Sequence, residues 1–555
     1  MNKAFNKDYK KLLFTTTFLI IILFFFNSIL LNRNIYNNHV NLIYTAASDF
    51  INNKSLYKEI YVKYGIGDVL INSLGLYLFG DNIFSIFLLT NIFYFTSIFI
   101  ILLICVKLKF SYVENLFIIL LLINIHPSSP FAPWPNYLSF LPIVISIYFL
   151  ADSNKKKYFF SGLSLSIACL IRETILLSAL SILFFLTIFF FFSNRNKVYL
   201  IKFYIAGFFL PLLCFFFYMI LNSNYLIWTE LILPSYRLEA LANLGYFINP
   251  NASDLRKFIL ITLGPFREIT LTFIKSIYFF WWDWVLIMLI YASCLYCFLR
   301  SIIKREFNLY SIISIYSLSL ILQNLHLPEI MRVSTGSIIG LIVLNSELEK
   351  IAKNKKILFY FVILFLLFAN KKEFYKLSTK NITDNFESFF SKNNKLDNTK
   401  FDFEKFPQFK NMNYDPLIHK FYLDFQKNCK RIKEENNIKY SINRTEYWDF
   451  SHLCETKPIH YFSWEKKVWT NIFNNADSVN KNLDATNDNT LEFFNSNEKH
   501  LDNYKIFYIY DVYDKLDIKR INYLKIGEQK LPYLVNYLDL TYRYILIAKK
   551  LDNKL

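Results

Sequence analysis

Glycine and proline are scarce here, 11 and 14 among 555 residues. With 54% of the chain apolar, that scarcity excludes a disordered or low-complexity protein. A Gly-rich phosphate loop, a zinc-ligand spacing and a nucleophile elbow are all missing, which argues against a nucleotide-fuelled pump. Also missing are a basic stripe with interleaved aromatics and any nucleic-acid-binding motif, so no nucleic acid is expected as partner. After Asn370 the chain lacks long apolar runs, and nowhere does it keep a coiled-coil repeat.

Before Asn370 such runs are plentiful. From Leu12 to Phe368 they recur at about 20 residues, the length that crosses a hydrocarbon core roughly 30 Å thick. They fall near 12–31, 83–106, 112–125, 136–151, 158–171, 173–192, 198–221, 277–299, 309–326, 331–346 and 356–369, which makes eleven spans. A soluble enzyme is thereby excluded. The expected fold is an α-helical polytopic membrane protein with a C-terminal α/β domain. Phe runs such as Phe189 to Phe192 fit a codon bias toward Phe, Tyr, Ile, Lys and Asn and carry no functional weight.

Charge sets the expected orientation. The first 369 residues hold 30 basic and 17 acidic side chains, and the remainder is nearly balanced at 31 and 26. With the N-terminus cytoplasmic, alternate loops collect Lys3, Lys7, Lys10 and Lys11, then Lys107 and Lys109, then Lys155 to Lys157. Next come Arg195, Lys197 and Lys202, then Arg300, Lys304 and Arg305, then Lys350, Lys353, Lys355 and Lys356. These are 19 of the 30 cations, the pattern of the positive-inside rule. The N-terminal run reads as a retained helix without a cleavage site. Two long loops, 32–82 and 222–276, then lie outside, and so does the tail. The stretch 258–274 reads as a further span or a surface helix.

Five cysteines (Cys105, Cys169, Cys214, Cys294, Cys297) lie in apolar runs and read as packing residues, the Cys294-x-x-Cys297 pair included. Cys429 and Cys454 are placed to form a disulfide if the tail is extracytoplasmic.

The first long loop begins Asn37-Asn38-His39 and predicts a helix over Val40 to Ile51. It continues Leu56-Tyr57-Lys58-Glu59-Ile60, then Lys63-Tyr64-Gly65-Ile66-Gly67-Asp68. The apolar stretch Val69 to Phe79 is too short to span and predicts a helix in the membrane interface. Two juxtamembrane helices joined at a Tyr-Gly turn suit a lid over a lipid-facing cavity. This order, most visibly Leu56 to Ile60 and Tyr64-Gly65, resembles the GT-C superfamily of integral-membrane glycosyltransferases. Protein O-mannosyltransferases, aminoarabinose transferases and bacterial relatives belong to it. The likeness covers the helix pattern of residues 1–370.

The resemblance implies transfer of a sugar from a polyprenyl-phosphate donor at the outer face. It also implies an acidic residue just ahead of the first loop helix, where this chain has Asn38-His39. Histidine titrates near 6.5, so His39 is the first candidate base, with Asp49 the second. Glu59, Tyr64 and Asp68 flank the turn and are candidates for acceptor or metal contact. A divalent cation is the one cofactor left open.

Arg172-Glu173 sits between two apolar runs at the expected outer rim. An arginine there is costly to bury unless it meets an anion, and its planar fork suits phosphate. Arg332 opens the tenth span after His326-Leu327-Pro328-Glu329, and Arg237 lies in the second long loop. All three are candidate ligands of the donor phosphate, while snorkelling or pairing with Glu173 or Glu329 is the competing role. The loop His126 to Asn136, with Pro127, Pro130, Pro133 and Pro135, is a stiff connector or a sugar-stacking wall. Trp281-Trp282-Asp283-Trp284 reads as an interfacial anchor.

In the tail, residues 370–415 read as a connector and 416–555 as the α/β domain. A helix is expected over 417–436 and another over 484–500, with strands at 438–442, 505–510 and 542–548. Tyr447-Trp448-Asp449, His452, His460, Trp464 and Trp469 suit either sugar stacking or a small core. The functional expectation is a membrane glycosyltransferase of the bacterial cytoplasmic membrane, in cell-envelope or polysaccharide biosynthesis. Its partners would be a polyprenyl-phosphate-linked sugar, membrane lipid, and a lipid, glycan or protein acceptor. The alternatives are a non-catalytic carrier-lipid binding or transport protein and an O-antigen-type ligase or polymerase.

Overall fold

The computed structural model describes residues 14–18, 20–22, 24, 38–53, 56, 60, 62, 64–125, 133–152, 154–193, 198–221, 284–306, 308–324, 330–351, 360, 416–435, 440–443, 457–458, 506–512, 523–536 and 539–550. Residues 14–18 and 20–22 are helical. The first loop forms α1 (Asn38–Ile51) and α2 (Ile66–Phe79). Then follow α3 (Ile83–Lys107), α4 (Tyr112–Ile125), α5 (Pro135–Leu150), α6 (Lys155–Ile171), α7 (Ile175–Ser193) and α8 (Val198–Leu221). After the second long loop come α9 (Trp284–Lys304), α10 (Leu309–Ser319, continued as a 3-10 turn Leu320–Asn324) and α11 (Ile330–Ile351). By length and composition α3, α8 and α9 suffice to cross a membrane. The chain is therefore a membrane protein. Where the helices are described, the apolar runs from 83 to 346 match them to within about five residues, and the run over 309–326 tightens into the 3-10 turn; residues 277–283 and most of 12–31 and 356–369 lie outside the described residues.

Local chemistry explains the ends. Asn82, Asn154 and Asn308 cap α3, α6 and α10, each accepting a backbone N–H (from Ser85, Lys156 and Ser311). Pro135 occupies the first position of α5, where no N–H is needed. Past α3 and α9, Lys109 and Arg305 take φ of 63° and 54°. Glycine would ordinarily hold that left-handed position, but this chain has few. The next residues close the turns, with Phe110 N–H donating to Cys105 O and Glu306 N–H to Ser301 O, both at 3.1 Å.

Glycine is spent instead where helices touch. A Cβ on Gly162 would strike the Tyr204 carbonyl, and one on Gly207 the Phe159 carbonyl, so α6 and α8 pack backbone to backbone. A buried hydroxyl quartet joins four helices. Ser146 Oγ lies 2.9 Å from Ser161 Oγ and 2.7 Å from Tyr316 Oη, which is 2.9 Å from Tyr204 Oη.

Contacts between helix ends order the bundle. Lys107 at the end of α3 bonds Asp152 after α5, and Ser301 on α9 bonds Ser311 on α10. Glu114 on α4 accepts from Asn345 on α11 at 3.5 Å. Lys107, Lys109, Lys155 to Lys157, Lys202, Arg300, Lys304 and Arg305 thus gather at one end. The first loop and Arg172 are at the other.

In the tail, α12 (Pro416–Glu435) precedes β1 (Tyr440–Asn443), β2 (Lys457–Pro458), β3 (Ile506–Val512), β4 (Tyr523–Asn536) and β5 (Asp539–Lys550). They form one sheet in the order β2-β1-β3-β5-β4, parallel among the first three and antiparallel at β3-β5 and β5-β4. The sequence reading lacks β4. Its Gly527 and Pro532 disguise it, and Pro532 is tolerated because β4 is an edge strand. Cys429, buried on α12, is disulfide-bonded, whereas the five membrane cysteines are free thiols. Cys454, the connector 370–415, the expected helix 484–500, the stretch 258–274 and the Tyr447 to Trp469 cluster lie outside the described residues. So do Trp281, Trp282, Asp283 and residues 126–132. Trp284 is buried against Ile287, Tyr291 and Val333 instead of anchoring at the surface.

Candidate functional site

The site is built where the first loop docks on the bundle. Leu56, Ile60, Val62 and Val69 pack with Ala46 of α1 and with Phe215 and Met219 of α8, forming a small core apart from the main one. Ser73 Oγ donates to Ala47 O at 3.0 Å, and Tyr44 Oη donates to Asp81 Oδ1 at 2.9 Å, which holds α1 beside α2.

The Tyr-Gly turn meets the end of α6 directly. Glu173 N–H donates to Tyr64 O at 3.1 Å. A Cβ on Gly65 would collide with Leu170 O, and one on Gly67 would come within 2.9 Å of Ile171. Only glycine allows so close an approach. The two motifs singled out in sequence, Tyr64 to Asp68 and Arg172-Glu173, are therefore one structural unit.

Helix α2 is amphipathic in reverse. Its protein-facing side carries Asp68, Asn72 and Ser73, all buried, while Leu70, Leu74, Tyr77 and Leu78 are exposed, Tyr77 at 79%. An apolar stripe turned outward at i, i+4, i+7 and i+8 suits contact with lipid rather than water, matching a helix in the interface. Asp68 is 4% exposed. Burial pushes its carboxyl well above the ordinary carboxylate range, partly offset by Asn72 Nδ2 donating to Oδ1 at 3.0 Å. Such burial favours the neutral acid over the carboxylate.

Arg172 is buried at 4% exposure, and its Nε donates to Thr174 Oγ1 at 2.9 Å. A phosphate must reach into the protein to meet it. Glu173 is 8% exposed and lines a small cavity with Ile66, Cys169, Leu170, Leu176, Leu212 and Phe215, about 250 Å³ including its mouth. Glu173 in this apolar cavity, and Asn72 and Asp81 holding the loop, are the polar residues at this docking that the sequence reading did not name as candidates. The i, i+4 spacing of Asp68 and Asn72 was the available signal.

Asp49 is buried at 7% exposure near the end of α1. His39 stands at the start of that helix, about 15 Å away along its axis, so the two cannot serve one proton transfer. Arg332 is the third residue of α11, beside Val333, whose carbonyl accepts from Tyr291 Oη at 3.1 Å. The side chains of His39 and Arg332, and the whole of Glu59 and Arg237, lie outside the described residues. The backbone at Tyr64 to Gly67 is thus brought against Leu170 to Glu173, while the Asp68 side chain pairs with Asn72 on its own helix. No group of three or more His, Cys, Asp or Glu among the described residues is arranged to hold a metal ion.

No protein family and no curated protein matches the chain by sequence. Several solved chains overlap it, the following two among them. One is the oligosaccharyltransferase of Archaeoglobus fulgidus, solved with Zn and sulfate, at 11% identity and a TM-score of 0.44. The overlap takes in 79% of this chain and only 62% of the other. The second is ArnT from Cupriavidus metallidurans bound to undecaprenyl phosphate, at 7% identity and a TM-score of 0.47, covering 96% and 98%. At TM-scores below 0.5 these overlaps carry no functional argument.

Proposed function

We propose that this chain is a GT-C-type glycosyltransferase that moves a sugar from a polyprenyl-phosphate donor to a lipid, glycan or protein acceptor at the outer face of the cytoplasmic membrane. The observation that carries this reading is the docking of Tyr64-Gly65 onto Arg172-Glu173, at the end of the bundle opposite the lysine-rich loops. Residues 1–369 would be the catalytic part and 416–555 an extracytoplasmic domain. The disulfide at Cys429 favours an oxidising compartment for that domain.

Breaking the bond between the anomeric carbon and the phosphate oxygen leaves a phosphate whose charge needs stabilising. Arg172 supplies that charge through a paired donor set, with Arg332 and Arg237 completing the clamp. His39 or Asp49 takes the proton of the acceptor hydroxyl as it attacks. Asp68, paired with Asn72, supports the loop helix that follows the turn. Tyr64 and Glu59 line the acceptor side.

The test is transfer of radiolabelled sugar from polyprenyl phosphate in membranes carrying each variant. Arg172→Lys keeps the charge and loses the fork, and is expected to lower the rate by roughly a hundredfold. Of His39→Ala and Asp49→Asn, one abolishes transfer and identifies the base. Wild-type membranes inert toward every such donor would remove the proposal.

A further inference from the structure

At the basic end, α6 and α8 form a feature that the proposed transfer does not use. The two helices run in the same direction. Lys155 lies by Tyr199 and Phe203, Gly162 meets Tyr204 and Phe208, and farther along Leu170 and Phe215 line one cavity, so contacts advance together on both. On a helical wheel, Phe160 and Ile167 lie about 90° to one side of the contact line of α6. Phe203 and Leu210 lie about 110° from that of α8, in the opposite sense. For parallel helices these are the same flank, and all four side chains are exposed. Because reciprocal glycines draw the backbones together, the flank is a shallow groove with apolar walls.

The groove ends at Lys155 and Lys156, both exposed. The Lys155 ammonium lies 5.4 Å from the ring centre of Tyr199 and 5.7 Å from that of Phe203, rings that are themselves exposed. No carboxylate among the described residues pairs with either lysine. The nearest acid along the chain, Asp152, is engaged by Lys107 and Lys157. Two cations that no carboxylate among the described residues compensates thus head an apolar track. From Phe203 to Leu210 the track rises about 10 Å, within one leaflet of a roughly 30 Å core.

We propose that this groove binds one phospholipid with an anionic headgroup, its phosphate on Lys155 and Lys156 and an acyl chain between Phe160, Ile167, Phe203 and Leu210. Charge complementarity selects the occupant, since a zwitterionic lipid brings a cation of its own to the lysines.

Detergent-solubilised full-length protein is titrated with phosphatidylglycerol and, separately, phosphatidylcholine, and bound lipid is read by native mass spectrometry. Wild type should prefer phosphatidylglycerol by roughly tenfold. Lys155→Gln with Lys156→Gln should erase that preference, and Lys155→Arg with Lys156→Arg should keep it. Phe203→Ala with Leu210→Ala should weaken binding of both lipids while leaving the charge in place, which keeps the test decisive if the glutamine pair fails to fold. Lys109→Gln with Lys304→Gln removes the same charge at the same end and should change nothing. A preference that survives the glutamine pair overturns the proposal. So does equal loss in the Lys109 and Lys304 control, which would mean diffuse attraction only, or displacement of the lipid by excess inorganic phosphate, which would mean a soluble anion.

Discussion

Asp68 and Asp152 stand at opposite ends of the same bundle and show how differently its two ends treat a carboxylate. Asp68 is sealed beneath the first loop, accepts from an amide, and is driven toward its neutral form by burial. Asp152 is half-exposed between Lys157 and Lys107, and hydrogen bonding from Lys157 first, then Lys107, holds its carboxyl below the usual range. One end spends its polar groups inside the protein, against glycine and backbone. The other spreads them over a wet surface. Pre-organised chemistry belongs at the first kind of end, and orientation in a charged membrane belongs at the second.

The contrast can be broken most severely at Gly65. Gly65→Ala puts a methyl group into the Leu170 carbonyl, a backbone atom that cannot swing aside. A loss of about 1–3 kcal/mol in stability is expected, together with undocking of the first loop. Thermal unfolding and the transfer assay would both register it. An unaltered melting temperature would mean that the turn is not seated on α6.

A sharper form uses pH. As pH rises above the ordinary carboxylate range, unfolded chains release the Asp68 proton while the native protein keeps it. The native state then binds more protons, and stability falls with rising pH. Asp68→Asn should remove that slope, leaving the variant more stable than wild type near pH 7, by a margin that shrinks toward pH 4. Asp152 has the opposite sign: its contribution is present at neutral pH and is lost as pH falls through its lowered value. Asp152→Asn should cost at most about 1 kcal/mol, because the pair is half-exposed, and the cost should fade in high salt. Melting curves of wild type and both variants from about pH 2 to pH 8 test the pair, the Asp152 slope lying at the acid end; slopes of the same sign would erase the distinction between the two ends.

The smallest expected effect is at the left-handed turns. Lys109→Asn, placing a residue that tolerates φ near 60° after α3, should change stability by less than about 1 kcal/mol.

Helix positions were readable in the sequence because a hydrocarbon-length apolar run leaves little choice of structure. Tyr112–Ile125 and Val198–Leu221 fall on their expected bounds. The lysine pattern singled out alternate helix ends that the fold places on one side of the bundle. The site was readable only in pieces. Tyr64-Gly65 and Arg172-Glu173 each stood out, but their pairing depends on a backbone contact across more than a hundred residues, which no local pattern encodes. The burial of Asp68, the cavity at Glu173 and the inward turn of Trp284 likewise follow from packing between distant helices. Pro532 hid an edge strand because a rule for central strands does not hold at an edge.

The hydroxyl quartet of Ser146, Ser161, Tyr204 and Tyr316 has a consequence for assembly. In hydrocarbon, a hydroxyl that loses its neighbour finds no water to replace it. Sliding any of the four helices by one turn, about 5.4 Å, would strand at least one of them. The cluster therefore acts as a depth gauge, and segments delivered one by one into the bilayer reach their final immersion only when it closes.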